Sequence, residues 1–297
     1  EMLRSLVGSE MCIRDRSAAA TANPAAADAT PDATTRTITP TQAAAKTVLV
    51  TINVQGIGPE AATRPEHELH GRDGHGRYTY GGGLSRLLDM LRRQDIRATF
   101  FWPAFEAERC RDLLEQSLRD GHEAASQGNA FEDLAALGER EAEVLQRGRD
   151  RLASLTGQAP EGFRWTGGGF TARTLPLLHE LGYRYDSSAL DDDAPYALDA
   201  DGAPGMVELP WSEGLCDATH FSRRVTQDRA YAHLAEQGDA LLAADGYACL
   251  TLHPRADHGV GRAARLQMIE RLLQRLRDAG AGFARCDDLA RQCAARG

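Results

Sequence analysis

From residue 47 onward, short runs of β-branched and aromatic residues alternate with longer segments whose apolar residues recur every three or four positions. The two periods are those of a buried strand and an amphipathic helix, so the chain reads as repeated βα units. We predict strands over residues 48–54, 98–102, 123–127, 162–166, 183–187, 206–210, 247–253 and 282–286. We predict helices over residues 83–93, 106–119, 133–155, 171–181, 229–244, 262–279 and 287–294.

Short connections rich in Gly and Asp join these units, which implies a parallel sheet with helices on its outer face. The expected fold is α/β: a distorted or incomplete (β/α) TIM-like barrel of about seven parallel strands. In such a barrel the functional side chains lie at the carboxyl ends of the strands.

Residues 1–46 lack this pattern. Residues 1–16 resemble a translated sequencing-adapter string and are left out of the fold prediction, and the chain does not start with Met. Residues 17–46 are rich in Ala, Thr and Pro and hold almost no large apolar side chain, so we predict a disordered segment. Residues 47–297 are predicted to form one folded domain.

Composition excludes several classes of function. The 297 residues are 42% hydrophobic and carry a formal net charge of -9, without a basic stripe, so nucleic acid is not expected as a partner. No apolar run approaches the roughly 20 residues of a transmembrane helix. The six cysteines include no C-x-x-C pair, which favours buried thiols over a disulfide framework or structural zinc and points to a cytoplasmic location.

Candidate chemistry begins with residues 121–131, which start Gly-His-Glu and continue to Gln127 and Phe131. This segment resembles the second motif of the polysaccharide deacetylase superfamily, the NodB-homology or carbohydrate esterase 4 proteins. In that family both later positions are histidines that bind a divalent metal such as zinc. A carboxamide is a poor zinc ligand and a phenyl ring is none.

The first predicted strand ends at Asn53 and Gln55, where the family has Asp-x-Asp, with one Asp as catalytic base and the other as metal ligand. An amide cannot take a proton from water at neutral pH. A polar strand end would explain Asn53 and Gln55 alone. Their coincidence with Gln127 and Phe131 favours a coordinated loss, so we predict no metal at these four degenerate positions and no cofactor.

Two family positions are retained. Arg164 in residues 162–166 resembles the third-motif Arg that pairs with the catalytic Asp, while Thr166 replaces the family's Pro. Because that Asp is Asn53 here, we expect Arg164 to contact another acid or an anionic ligand. His253 resembles the fifth-motif His that protonates the leaving amine; capping of the following loop is the alternative for it. By this resemblance His253 and Arg164 are the catalytic residues.

Residues 182–196 resemble a run found in the subgroup of peptidoglycan deacetylase-like proteins and allantoinases. Residues 208–211 and 216–221 resemble further segments of that subgroup, with Cys216 in place of an Asp. We assign four residues to substrate binding, with core packing as the alternative for the tryptophans and a solvated turn as the alternative for residues 191–193. The four are Trp165, Trp211, Asp186 and Asp217.

Three histidines lie in a polar loop after the first strand: His67, His70 and His75. They could recruit a metal together with Asp73, although loop histidines are usually solvated.

The resemblance implies a hydrolase of non-peptide C–N bonds in carbohydrate metabolism, here divergent or metal-independent. An allantoinase-like cyclic amide hydrolase is one alternative, since Asn53 and Phe131 match that branch, whereas Gln55 and Gln127 do not. The other is a pseudoenzyme whose pocket, lined by Trp102, Trp165, Trp211, Arg164 and His253, binds a glycan or small amide without turnover. The expected partner is therefore a small-molecule amide or a glycan.

Overall fold

The computed structural model describes residues 46–165 and 169–295. The adapter-like and Ala/Thr/Pro-rich segments, up to residue 45, and Thr166 lie outside these ranges. Within them, nine strands form one sheet. The strands are β1 Thr47–Asn53, β2 Thr99–Trp102, β3 Glu123–Ser126, β4 Gly162–Phe163, β5 Tyr185–Asp186, β6 Tyr196–Ala197, β7 Val207–Glu208, β8 Tyr247–Leu252 and β9 Gly282–Ala284.

The sheet follows the order β6-β7-β5-β4-β3-β2-β1-β8, with β9 beside the first half of β1. All pairings are parallel except β6 with β7. Strands β6 and β8 end the path, so the curled sheet is an incomplete barrel, which confirms the predicted α/β fold. It holds nine strands where about seven were expected: β6 is an added antiparallel strand of only two residues, and β9 lies off the main path beside β1.

Eleven α-helices lie in the described ranges. They are α1 Gly58–Ala61, α2 Leu84–Arg93, α3 Ala104–Arg109, α4 Arg111–Arg119, α5 Leu134–Leu137, α6 Glu141–Thr156, α7 Thr174–Glu180, α8 Asp217–Ser222, α9 Gln227–Ala244, α10 Ala263–Asp278 and α11 Cys286–Ala294. Short 3₁₀ helices occupy Glu66–Glu68, Gly71–Gly74, Gly138–Arg140, Asp199–Asp201 and Glu213–Leu215, and Thr79–Gly83 forms a π-helical turn.

Two predicted helices are broken in the structure. The helix predicted over residues 106–119 divides at Cys110, whose φ of -113° and ψ of 35° are not helical. The helix predicted over 133–155 divides at Gly138, where α5 ends. The φ of Gly138 is 58°, a value that glycine adopts readily. Helices α1 and α8 were not predicted, because each is too short to show a helical period.

Alternation along the strands separates the two faces of the sheet. The outward residues of β1 pack under the helices: Val48, Val50 and Ile52. Leu49 joins the interior cluster with Phe101 and Cys249, so Thr51 and Asn53, on the same face, also point into the barrel. The interior is therefore apolar at its amino end and polar towards the carboxyl end of β1.

The segment before α8 covers part of the free edge of β8. Cys216 forms an isolated parallel bridge with Thr251, which brings Cys216 and Asp217 to the carboxyl end of β8. Across residues 46–165 and 169–295, every helix is too short or too polar to cross a membrane.

Candidate functional site at the barrel mouth

A buried histidine–aspartate pair occupies the carboxyl end of β8. His253 Nδ1 lies 2.6 Å from Asp217 Oδ1. The other carboxylate oxygen accepts the backbone N–H groups of His253 at 2.9 Å and Val260 at 3.0 Å. Asp217 is fully buried and held by three donors, so it fixes the orientation of the imidazole. The sequence assigned Asp217 to substrate binding; the structure places it behind His253.

The charge of Asp217 sets the protonation of His253. Burial alone would lower the pKa of His253, but the carboxylate of Asp217, and after it the neighbouring Cys216, raise that pKa to about 10. A ring that is already charged at neutral pH can donate a proton and cannot accept one until it has lost its own. His253 is therefore set up as an acid.

Asn53 occupies the position facing the other ring nitrogen. Its Nδ2 lies 3.3 Å from His253 Nε2, while its Oδ1 accepts from Arg164 Nη1 at 3.4 Å. With its donor Nδ2 towards Nε2, the carboxamide suits a neutral ring that accepts a hydrogen bond there. The charge of Asp217 favours the protonated ring instead. The carboxylate is the stronger influence because it is charged and closer. Nε2 thus carries a proton that Asn53 Nδ2 does not accept, and this proton can be donated to a ligand.

Arg164 is fully buried in the barrel interior and surrounded by neutral groups. Its Nη1 donates to Thr51 Oγ1 at 2.7 Å, and its Nη2 donates to Ser187 Oγ at 2.7 Å. Nε donates to the Ser187 carbonyl at 2.8 Å, and Nη2 lies 3.4 Å from Cys249 Sγ. The guanidinium also lies 4.2 Å from the centroid of the Phe101 ring.

Of the two partners expected for Arg164, the acid is absent: Arg164 forms no ion pair with any acid in residues 46–165 or 169–295, and contact with an anionic ligand stays a prediction. Hydroxyls, a carbonyl and an aromatic face solvate its charge instead. Through these contacts Arg164 holds Thr51, Asn53 and Ser187 in place.

The loop that follows β1 is fixed by a buried carboxylate. Glu106 Oε1 accepts the backbone N–H groups of Gly56 at 2.9 Å and Gly58 at 2.8 Å, and Glu106 Oε2 accepts from Tyr80 at 2.5 Å. Burial raises the pKa of Glu106. This loop carries Gln55, which is half-buried at the mouth.

The four positions that correspond to the family's metal ligands and catalytic base hold side chains that do not suit zinc. Asn53 and Gln127 are buried carboxamides, Gln55 is a half-buried one, and Phe131 offers no donor atom. The Phe131 ring packs so tightly against Gly58 that a Cβ on that glycine would lie 2.1 Å from it. These positions thus hold amide and aryl groups where zinc needs imidazole or carboxylate.

One trio in the described part of the chain has three possible ligand atoms close together: Cys216, Asp217 and His253, within 4.8 Å of one another. Ligands that each lie about 2.0–2.3 Å from zinc cannot be hydrogen-bonded to one another. The 2.6 Å contact between His253 and Asp217 therefore leaves no room for an ion between them.

The loop histidines do not converge. His67 and His70 are exposed, and His75 Nδ1 lies 3.9 Å from Asp257 Oδ2. No set of three ligands forms around them among residues 46–165 and 169–295.

The tryptophans divide between the two faces of the sheet. Trp102 is buried in the outer cluster near Phe100, and Trp165 stacks parallel to Phe163 with centroids 6.4 Å apart. Trp211 is half-buried, 5.9 Å from the Arg164 guanidinium, and donates from Nε1 to the Ser188 carbonyl at 3.2 Å. Of the predicted pocket residues, the structure brings Trp211, Arg164 and His253 to the interior face.

Asp186 lies on the opposite face of the sheet from Ser187 and Arg164. It is paired in register with Glu208 on β7, and both side chains are buried. Burial raises the pKa of Asp186 to about 6, and burial with the charge of Asp186 raises the pKa of Glu208 well above its ordinary value. The two carboxyl groups thus favour sharing a proton.

Sequence reasoning missed two residues near His253. His258 stands edge-on to His253 with ring centroids 5.5 Å apart, and its side chain is half-buried. Cys216 was noted only as a replaced Asp, yet its sulfur lies beside the His253–Asp217 pair. Its adjacency to Asp217 was the one available signal.

Comparison with known proteins places this geometry in a family context. The family model for polysaccharide deacetylase matches residues 78–185. A peptidoglycan deacetylase from Helicobacter pylori is 30% identical over 116 residues, which cover 38% of this chain and 40% of that protein. The match thus spans well under half of that relative.

Solved structures extend the likeness to nearly the whole described domain. A crystal structure assigned as a polysaccharide deacetylase from Mycobacterium smegmatis has a TM-score of 0.79 and 27% identity, covering 88% of this chain and 95% of that one. The crystal structure of an allantoinase has a TM-score of 0.72 and 24% identity, covering 86% and 92% of the two chains. The similarity to the allantoinase shows a shared fold.

Proposed function

Because this chain belongs to the polysaccharide deacetylase superfamily, we propose that its barrel mouth binds an N-acylated carbohydrate or a small amide and hydrolyses the non-peptide C–N bond without a metal. The observation that carries this proposal is the His253–Asp217 pair, 2.6 Å apart and buried at the carboxyl end of β8. A charged imidazole there can protonate the leaving nitrogen, which is the difficult part of amide cleavage.

The mouth also offers groups that would hold the substrate. Trp211 presents a half-buried ring, and aromatic faces pack well against sugar rings and flat amides. Asn53 presents a carboxamide beside His253 Nε2, where the substrate amide would lie. Arg164 supports both from beneath, through Asn53 and its cation–π contact of 5.9 Å with Trp211.

A binding protein without turnover is the second candidate. The observation that favours it is Asn53 itself, because an amide stands at the family's Asp-x-Asp motif, which supplies the base. Such a protein would use the same mouth, with His253 and Trp211 as hydrogen-bonding and stacking partners.

One set of assays separates these functions. The protein is incubated with N-acetylglucosamine oligomers and with allantoin, with and without a chelator, and its zinc content is measured by elemental analysis. We expect turnover that resists the chelator and is lost in His253→Ala. Stoichiometric zinc with chelator-sensitive turnover would contradict the metal-free reaction. A ligand-induced rise in Tm without turnover would support the binding protein.

A further inference from the structure

Cys216 places a thiol beside the His253–Asp217 pair. Ligand-type atoms of the three side chains lie within 4.8 Å of one another. Cys216 and His253 are each only 4% exposed and Asp217 is fully buried. The two residues are thus covered to the same extent.

The backbone explains why the sulfur faces the histidine. Cys216 pairs with Thr251 in a parallel bridge, and residues paired in this way direct their side chains to the same face of the sheet. Thr251 points into the barrel, where its Oγ1 accepts from Arg164 Nη1 at 3.3 Å. His253 is two residues further along the same strand and shares that face.

The three side chains have separate capacities. Both oxygens of Asp217 are occupied by His253 and Val260, so Asp217 can only orient the ring. His253 moves protons. Cys216 is the member of the trio that can form a covalent bond with a substrate, because its sulfur is the nucleophilic atom among them.

We propose that Cys216 is the nucleophile of this site and forms a thioester with the acyl group of the amide substrate. This inference rests on the proposed hydrolase function and supplies what that function lacks, since the four family positions offer neither a metal-bound water nor a base. A protein thiolate needs neither.

The steps balance with water as the only co-reactant. Cys216 reacts as the thiolate, its proton having passed to solvent; the sulfur bonds to the carbonyl carbon, and the carbonyl oxygen becomes an oxyanion near the Asn53 amide. The C–N bond then breaks as the charged His253 gives its Nε2 proton to the leaving nitrogen. Water next gives a proton to the neutral His253 and attacks the thioester; the C–S bond breaks, the acyl group leaves as the acid, and the thiolate and charged His253 are restored.

Alkylation of the intact protein tests whether the thiol is activated. The protein is treated with iodoacetamide, and each cysteine is followed by peptide mass spectrometry. Cys110 is an internal reference for an unactivated thiol of similar exposure, 5%, whose pKa burial raises to about 12. We expect Cys216 to react at least about tenfold faster than Cys110, and to lose that advantage in His253→Gln. Equal rates at the two cysteines would overturn the inference.

Acyl transfer tests the covalent step. p-Nitrophenyl acetate should give a burst of nitrophenolate and an acetyl group on Cys216, both absent in Cys216→Ser and retained in the control Cys293→Ser. If wild type and Cys216→Ser hydrolyse amides equally, the proposed hydrolase function is supported and the role of Cys216 as nucleophile is contradicted. If Cys216 is acetylated but no amide is cleaved, its role as nucleophile is supported and the proposed amide substrate class is contradicted. Thermal unfolding of each variant confirms that it is folded.

Discussion

His253 donates from Nδ1 to Asp217 Oδ1 across 2.6 Å, in a position where neither residue is more than 4% exposed. A carboxylate this close to a buried imidazole favours its charged form. Because Asp217 also binds two backbone N–H groups, its charge is held in place whatever the ring does. The pair is therefore an imidazolium with a fixed counterion.

Replacing that counterion should lower the pKa of His253. In Asp217→Asn the amide no longer offsets burial, so we expect the pKa to fall from about 10 by about 2 or more. An NMR titration of the imidazole nuclei measures it, and Asp245→Asn, at an exposed position, is the control. A His253 pKa unchanged in Asp217→Asn would show that the carboxylate does not set its charge.

The same shift makes wild-type stability depend on pH. A histidine whose folded pKa is raised adds stability that is fully present below its unfolded value, about 6.5, and is lost as the pH rises through about 10. Asp217→Asn should reduce this loss.

Arg164 should be essential to the barrel interior. Arg164→Lys removes the planar fork that reaches Thr51, Asn53 and Ser187 at once, so we expect the free energy of unfolding to fall by about 2–4 kcal/mol. Urea unfolding measures it. The control is Arg184→Lys, whose side chain is 68% exposed and forms a 3.8 Å ion pair, for which we expect less than about 0.5 kcal/mol. Similar losses in both variants would argue against the interior network.

The alternation of side chains along each strand predicts from sequence which residues of this site share a face of the sheet. Arg164 and Trp165 are consecutive, so they must face opposite sides, and the structure puts one in the interior and the other beside Phe163. The same rule separates Asp186 from Ser187. Since Arg164 and Ser187 share the interior, alternation places Trp165 and Asp186 on the other face of the sheet.

Other features depend on contacts that no local pattern encodes. Asp217 and His253 are 36 residues apart, and they meet because Cys216 bridges to β8 across that distance. The neutral surroundings of Arg164 come from β1, β5 and β8 together. The βα periodicity was enough to predict the incomplete barrel, since it reflects burial within each segment.

Asp186 and Glu208 should make the protein less stable as the pH rises. For an acid whose folded pKa is raised, stability is present below the unfolded value, about 4, and is lost as the pH rises through the folded value, about 6 for Asp186 and higher for Glu208. In Glu208→Gln the amide can donate to Asp186 at any pH. We expect the variant to lose less stability than wild type between pH 5 and 8, by about 1 kcal/mol or more.

Urea unfolding at the two pH values measures this difference. Glu236→Gln, at an exposed position, should leave the wild-type pH dependence in place. Because Glu123, whose pKa burial raises to about 7, contributes to both proteins alike, the difference between them isolates the Asp186–Glu208 pair. Parallel pH profiles for wild type and Glu208→Gln would show that the two carboxyl groups do not share a proton.

Gly58 should tolerate no side chain, because the loop after β1 is closed from two sides. A Cβ there would lie 2.1 Å from the Phe131 ring and 2.8 Å from Glu106 Oε1. Gly58→Ala must displace the ring or break the 2.8 Å bond from its own N–H to Glu106, so we expect a loss of about 1–3 kcal/mol in urea unfolding. Gly81→Ala is the matched control, since no heavy atom lies within 4 Å of its Cβ. The double variant Gly58→Ala, Phe131→Ala should recover part of this lost stability if the ring is the obstacle. No recovery would mean that the loss comes from the broken bond to Glu106, the carboxylate that fixes the loop carrying Gln55.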